Sequence, residues 1–352
     1  MTSHPPTLSK SKLLAFRQCP LRLWNEIHRW KEKKPLDEAT LYRFAEGERV
    51  GELARGLYPG GRMIHAGYRE MSAALAQTRD ALADRTIPAL FEAAFEAGPL
   101  RVRSDLLVRE REGGWAMWEV KSVLNTTGLH LYDLAVQVWA ARHAGPGEGL
   151  PPEIRRCGIV HLNRDYVYPG GEYDPHALFR ESESTEEVEE LMPEVERDVE
   201  EAAATAAAPR APAIKPGEHC NTPYTCPFLG TVCEEPETPE LMRLPGVGAK
   251  KLEELRERGI DRLADLSPDD PGLSPMMRRA LRALRSGTRQ VEPALGEALR
   301  AIGYPRYHLD FETVMPPLPR HPGTRPFQTL PFLFSLHAEM GPGRAPLHDG
   351  YL

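Results

Sequence analysis

Two apolar runs on either side of a glycine pair constrain the fold of this chain more than any other feature. The run 106–108 (LLV) precedes Gly113-Gly114, and the run 115–121 (WAMWEVK) follows them. Consecutive glycines readily adopt the positive φ angles that a tight turn between antiparallel strands needs. Residues 106–121 are therefore expected to form a β-hairpin.

Helical and strand patterns alternate around this hairpin. Helices are expected over 9–30, with an interruption near Cys19-Pro20, and over 39–57, 129–143 and 186–208. Residues 71–96 suit helical or mixed structure, and further strands are expected over 158–162, 307–314 and 331–340. The alternation predicts an α/β protein.

Length, charge and cysteine context narrow the class of protein. A chain of 352 residues is long enough for two or three domains. The net charge of −7 does not itself indicate a nucleic-acid partner, but the charge is uneven, acidic over 181–201 and basic over 278–289. The sequence has no run of about eighteen apolar residues and no secretory signal. A cytoplasmic location without a membrane partner is expected, where cysteines stay reduced and tend to bind metals.

Acidic residues on the hairpin form the candidate active site. Side chains alternate along a strand, so Glu119 and Lys121 share one face. Pairing of the two strands can place Asp105 beside them. Two carboxylates on one face suit Mg²⁺ or Mn²⁺, which would polarise a phosphodiester while Lys121 positions the attacking water. Gln137, on the following helix, is expected to orient the lysine or the water. The alternative is a solvated hairpin with a chance Glu-x-Lys pair.

Four of the five cysteines suggest a second metal site, made of Cys19, Cys220, Cys226 and Cys233. Five and six residues separate the last three, a looser spacing than the Cys-x₂₋₄-Cys pairs of most zinc sites. Such a site would tie together segments far apart in sequence, which is a structural role. Cys157 is expected to precede a buried strand and to pack as a small hydrophobic residue.

The order of these features resembles the RecB-like nucleases of the PD-(D/E)xK superfamily. The likeness is to the iron–sulfur members in particular, such as the AddB nuclease domain and the CRISPR-adaptation exonucleases. It covers residues 8–235 and includes the segments FRQCPLRLW, GERVGELAR, EVKSVLN and HLNRDYVYPGG. It implies a restriction-endonuclease-like core, with Asp105, Glu119, Lys121 and Gln137 catalytic. It also implies a metal held by the two carboxylates and the Val120 backbone carbonyl, and a [4Fe–4S] cluster on the four cysteines, with zinc as the alternative.

Two positions depart from the pattern of those nucleases. Gly51 stands where many of them have a metal-binding histidine, so Glu48 or His65 is expected to replace it. Ala141 stands where a tyrosine usually follows the glutamine that Gln137 matches.

The C-terminal third carries two further motifs. Residues 244–251 (LPGVGAKK) resemble a helix-hairpin-helix, which implies DNA phosphate binding without sequence preference through Gly246, Gly248, Lys250 and Lys251. The alternative is a small helical packing unit. Residues 307–313 (YHLDFET) resemble the first motif of DnaQ-like exonucleases of the ribonuclease H fold, with Asp310 and Glu312 as a second metal-binding pair. Only residues 313–352 follow that pair, and they lack the later motifs. These residues are either the beginning of a longer protein or an inactive second domain, and we expect the former.

The expected domains are a RecB-like nuclease (1–235), a helix-hairpin-helix module (236–290) and an incomplete ribonuclease H-like segment (291–352). This order resembles a bacterial family that pairs the two nuclease types. The expected activity is phosphodiester hydrolysis by a DNA exonuclease acting on single-stranded or end-bearing DNA. One alternative is a DNA-binding scaffold with a vestigial site. The other is a protein in which only the DnaQ-like domain is active.

Overall fold

The computed structural model describes residues 6–67, 70–145, 151–235 and 238–352. These residues divide into two units. The first unit comprises Met1–Glu234 and Val314–Leu330, and the second comprises Glu235–Thr313 and Pro331–Leu352. Leu318 is fully buried in the first unit, which explains why the segment around it groups with residues so distant in sequence.

A seven-stranded mixed sheet forms the centre of the first unit. Its strands are β1 (Leu8–Ser9), β2 (Arg62–Met63), β3 (Ala89–Ala97), β4 (Leu100–Arg109), β5 (Trp115–Lys121), β6 (Ile154–Leu162) and β7 (Phe179–Glu183). The order is β2-β3-β4-β5-β6-β7, and β1 pairs with β4. The pairs β1–β4, β2–β3 and β5–β6 are parallel, and the others are antiparallel.

Seven helices are described in this unit. They are α1 (Lys10–Gln18), α2 (Pro20–His28), α3 (Glu38–Ala54), α4 (Met71–Ala83), α5 (Gly128–Arg142), α6 (Pro175–Leu178) and α7 (Thr185–Ala207). α1 begins at an N-cap, where the Ser9 side chain accepts the Lys12 backbone N–H. Pro20 occupies the first turn of α2, a position that proline tolerates because no intrahelical N–H is needed there.

The sheet has a buried core on each face. Along β5, Trp115 and Met117 belong to the core that α1, α5 and α7 cover, whereas Ala116 and Trp118 belong to the opposite core. This alternation places Glu119 and Lys121 in phase with the first core. Both side chains therefore project from the sheet toward α1 and α5.

Several expectations from the sequence are confirmed. The hairpin is present, and Gly113 and Gly114 have φ values of 90° and 81°. The first helix is interrupted at Cys19, as expected. The fold is a mixed α/β arrangement. One detail is wrong, because β6 begins at Ile154 and so contains Cys157 rather than following it.

The second unit contains a helical cluster and a small sheet. Its helices are α8 (Ala249–Glu257), α9 (Pro275–Ser286) and α10 (Leu295–Ala301), and its strands are β8 (Arg306–Val314), β9 (Leu330–Glu339) and β10 (Leu347–Tyr351), in the order β10-β9-β8. Leucines from 241 to 281 form the core of the helical cluster. In the described part of the chain, no helix is long and apolar enough to cross a membrane.

Candidate functional site

The site lies where two neighbouring strands separate. The β4–β5 pairing ends at Leu106 and Trp118, and Asp105 and Glu119 are the next residues on the two strands. Beyond this point β4 pairs with β1, while β5 stays paired with β6. Asp105 Oδ2 accepts the Val120 backbone N–H at 2.8 Å. The carboxylate thus satisfies a donor that has no strand partner at the fork.

Glu119 is the centre of the hydrogen-bond network, with 2% of its surface exposed. Its Oε1 accepts from Lys121 Nζ at 2.6 Å and from Lys10 Nζ at 2.8 Å. Its Oε2 accepts from Gln137 Nε2 at 2.6 Å. The structure therefore brings together three residues chosen from the sequence, and it adds Lys10 from the start of α1.

Asp133 is a residue of the site that was not predicted from the sequence. It lies on α5 one turn before Gln137, so the two side chains share a helix face. Its Oδ2 accepts from Lys121 Nζ, and Lys10 Nζ lies 3.4 Å from the same oxygen. Asp133 could have been predicted from the sequence, because residues four apart on a helix share a face. Nothing in the sequence indicates Lys10, because its position depends on the long-range pairing of β1 with β4.

Burial and charge act in opposite directions within this cluster. Burial, and then the charge of Glu119, raise the pKa of Asp105 to about 8. Burial and Glu119 likewise raise the pKa of Asp133. Burial opposes ionisation of Glu119 as well, but Lys10 and Lys121 hold its pKa well below the usual range. The carboxylates therefore compete for positive charge, a situation that favours binding of a cation.

Asp105 also lines a cleft of about 340 Å³ beside the site. Its lining is rich in hydroxyl and cationic groups, with Ser9, Ser11, Lys10, Lys12, Arg101 and Arg103 among them. Such a lining has the chemistry to accept phosphate oxygens.

Glu92, which also lines this cleft, has a strained backbone. Its φ is 58°, in the left-handed region that non-glycine residues avoid. Leu90 before it and Ala93 after it both belong to the same core, so the alternation of β3 changes phase at Glu92. The Glu92 carboxylate lies 3.4 Å from Arg103 Nε, and its charge contributes to the raised pKa of Asp105.

The other proposed metal ligands lie elsewhere. Glu48 on α3 and His65 after β2 are exposed, and no hydrogen bond or ion pair joins either to Glu119 within the described ranges. The buried acid of α3 is Glu46, which forms an ion pair with Arg320 at 3.0 Å. It was not chosen from the sequence.

The motif residues of the second unit are exposed, apart from Lys251, which is half-buried. Asp310 and Glu312 lie on β8, an edge strand that is exposed along most of its length. Gly246 has a φ of 84° in the turn before α8, and Gly248 is the N-cap residue of that helix. Lys250 and Lys251 follow in its first turn, and Lys251 forms an ion pair with Glu254.

The four cysteines selected from the sequence line one cavity in the first unit. Burial, followed by the neighbouring Cys220 and Cys226, raises the pKa of Cys19, which two backbone N–H groups partly offset. The pKa of Cys233 is raised by burial and by the other three. Over the described ranges, no three His, Cys, Asp or Glu side chains are placed as a finished metal-ligand set. The thiols therefore share a cavity without the geometry of a closed site.

One family model and one solved structure each match part of this chain. The family model described as a domain of unknown function, DUF2779, matches residues 307–352. This chain is similar to the protein in a crystal structure described as that of SSO0001, with 14% sequence identity. The match covers 57% of this chain and 78% of that chain, with a TM-score of 0.24. A TM-score this low does not establish that the two proteins share a fold. No curated protein matches the chain.

Proposed function

We propose that this chain is a metal-dependent nuclease that hydrolyses phosphodiester bonds in DNA. The observation that carries the proposal is the convergence of Asp105, Glu119 and Lys121 at the fork between β4 and β5. Buried carboxylates of raised pKa beside a lysine are a common signature of catalytic sites. The adjacent cleft offers cationic and hydroxyl groups to a phosphate backbone.

The donor set suits a hard divalent cation. Asp105 and Glu119 would hold Mg²⁺ or Mn²⁺ together with the Val120 backbone carbonyl, because such ions prefer oxygen ligands. When bound, the ion would polarise the phosphate and lower the pKa of a water molecule. No further ligand is assigned in place of the absent histidine at position 51.

The surrounding side chains have separate roles in this proposal. Lys121 stays protonated, since Glu119 and Asp133 raise its pKa against the effect of burial. It can therefore stabilise negative charge on the phosphate or hold the attacking water. Asp133 positions Lys121, and Gln137 fixes Glu119 through Oε2. Lys10 supplies a second positive charge at the edge of the cleft.

The proposed substrate is single-stranded or end-bearing DNA, and the proposed mode is exonucleolytic. The glycine turn and lysines before and within α8 suit sequence-independent phosphate contacts. The four cysteines are proposed to hold a [4Fe–4S] cluster, with zinc as the alternative. This proposal is supported by the lining of the cavity, which has four thiols, the His219 ring and the unpaired donors of Arg22 and Asn25.

A cleavage assay with end-labelled DNA and Mn²⁺ tests the proposal. Glu119→Gln and Lys121→Met should each reduce the cleavage rate by about a hundredfold or more, as loss of a group acting on the transition state commonly does. Glu153→Gln is the matched control, because Glu153 is an exposed acid whose only described ion pair is with Arg155. Wild-type rates in both site variants would overturn the proposal and favour a DNA-binding scaffold. Internal labelling separates exonuclease from endonuclease products.

A further inference from the structure

The cysteine cavity contains a buried side-chain amide with no hydrogen-bond partner. Asn25 lies on α2 and has 1% of its surface exposed. Neither its Nδ2 nor its Oδ1 has a partner in the described part of the chain. Leaving a buried amide unpaired destabilises the folded state, so buried polar groups nearly always have a partner. A partner is therefore to be sought among the groups around the cavity.

The helix that carries Asn25 presents donors to the cavity. Cys19 is the N-cap residue of α2, so the backbone N–H groups of Leu21 and Arg22, in the first turn, have no partner within the helix and lie beside it. Arg22 lies one turn before Asn25 and lines the same cavity, and its buried Nε also has no described partner. Two unpaired side-chain donors, Arg22 Nε and Asn25 Nδ2, thus lie at a cavity whose other polar groups are four thiols and the His219 ring.

We propose that Asn25 Nδ2 donates a hydrogen bond to sulfur in a metal–thiolate centre held by the four cysteines. Four thiolates around Zn²⁺, or around a [4Fe–4S] core, carry net negative charge, which N–H donors stabilise. Asn25 is then a positioning residue that slows metal loss. In an iron–sulfur centre it also favours the reduced, more negative state and raises the reduction potential. The inference rests on the proposed metal centre and is independent of nuclease activity.

The test uses the full chain, loaded anaerobically with Fe³⁺, sulfide and a thiol that reduces part of the iron or, separately, with Zn²⁺. Asn25→Leu keeps a similar volume but removes both polar atoms, and Asn25→Asp replaces the donor with an acceptor. Both should lose metal to a chelator at least tenfold faster than wild type, the usual scale for a group supporting a metal ligand. The iron–sulfur form of Asn25→Leu should also have a more negative midpoint potential in a dye-mediated titration.

Tyr166→Phe is the control, since it removes a polar group from a buried residue that lies in the other core, on the α3 face, and does not line the cysteine cavity. It should leave metal loss and potential unchanged. Metal-free Asn25→Leu should unfold at or above the wild-type temperature, which shows that the variant folds. If Asn25→Leu loses metal at the wild-type rate and has the wild-type midpoint potential, the inference is wrong. The unpaired amide then only destabilises the fold. If wild type binds neither iron nor zinc, the metal centre and the inference both fail, while the nuclease proposal stands.

Discussion

Asp105 accepts the Val120 backbone N–H across the fork between β4 and β5, at 2.8 Å. This bond gives the carboxylate two separable properties. As an acceptor it satisfies a backbone donor where strand pairing has ended. As a charge it lies close to Glu119 and Lys10, and burial together with Glu119 raises its pKa to about 8. An asparagine at this position removes the charge alone, and an alanine removes both the charge and the acceptor.

Asp105→Asn should abolish cleavage while keeping the fold. The amide oxygen can still accept the Val120 N–H, but the charge needed to hold a divalent cation is lost. We expect a rate reduction of about a hundredfold or more with little change in stability. Asp105→Ala should lose activity to the same extent and also about 1 kcal/mol or more of stability, because the N–H is left unpaired. Cleavage assays and urea denaturation measure the two effects. Equal stability of the two variants would contradict this role for the bond.

Asp133→Asn tests whether Lys121 needs its second carboxylate. The substitution keeps an oxygen near the lysine but removes a charge that raises the Lys121 pKa. We expect the cleavage rate to fall about tenfold, since a positioning group contributes less than a transition-state contact. Asp133→Ala, which also removes the oxygen that Lys121 contacts, should lose more activity than Asp133→Asn. Wild-type rates in both variants would contradict a positioning role for Asp133.

The site residues that could be predicted from the sequence lie on the hairpin and on the helix that follows it. Alternation along β5 correctly put Glu119 and Lys121 on one face, and helix periodicity would have added Asp133 to Gln137. Lys10 could not be found this way. It reaches the site because Leu8 pairs with Leu100 and Ser9 with Arg101, and parallel pairing between such distant segments leaves no local pattern.

The fold shows the same limit. The hairpin was predicted because Gly113 and Gly114 punctuate two strongly apolar runs. The short strands β1 and β2 have two residues each, too few for any period to appear. The backbone strain at Glu92 could not be predicted either. It arises where the inward and outward alternation of side chains along β3 is shifted by one residue, and that shift depends on how both faces of the strand pack.

Gly158 should tolerate no side chain. It lies on β6 opposite Trp118, and a Cβ there would overlap the Ser182 backbone oxygen and the Trp118 ring. Gly158→Ala should therefore destabilise the protein by about 1–3 kcal/mol or more. Gly47→Ala is the control, because Gly47 lies on α3 with open space around it and should gain about 0.5–1 kcal/mol. Chemical denaturation of both variants gives the comparison, and similar midpoints would refute the packing argument.

Cysteine substitutions should separate the metal ligands from the core cysteine. Cys157 is fully buried, and burial raises the pKa of its thiol to about 11. It should therefore stay a neutral thiol, and Cys157→Ala should keep the wild-type metal content. Cys19→Ser should lose the metal and, for an iron–sulfur centre, the brown colour. Iron, sulfide and zinc analyses of purified protein measure this. A colourless wild type with one zinc per chain would reject the cluster but keep the four-cysteine site.

Asp310 should contribute nothing to cleavage by this chain. It lies with Glu312 on an exposed edge strand, and its Oδ1 accepts the neighbouring Phe311 backbone N–H. Two-metal hydrolysis needs further ligands to hold both ions and activate water. Asp105, Glu119 and Asp133, by contrast, occupy a buried network with two lysines. Asp310→Ala should therefore cleave end-labelled DNA at the wild-type rate, with Glu119→Gln as the inactive reference. If Asp310→Ala is inactive while Glu119→Gln cleaves normally, the working site is the one on β8, and the fork between β4 and β5 has another purpose.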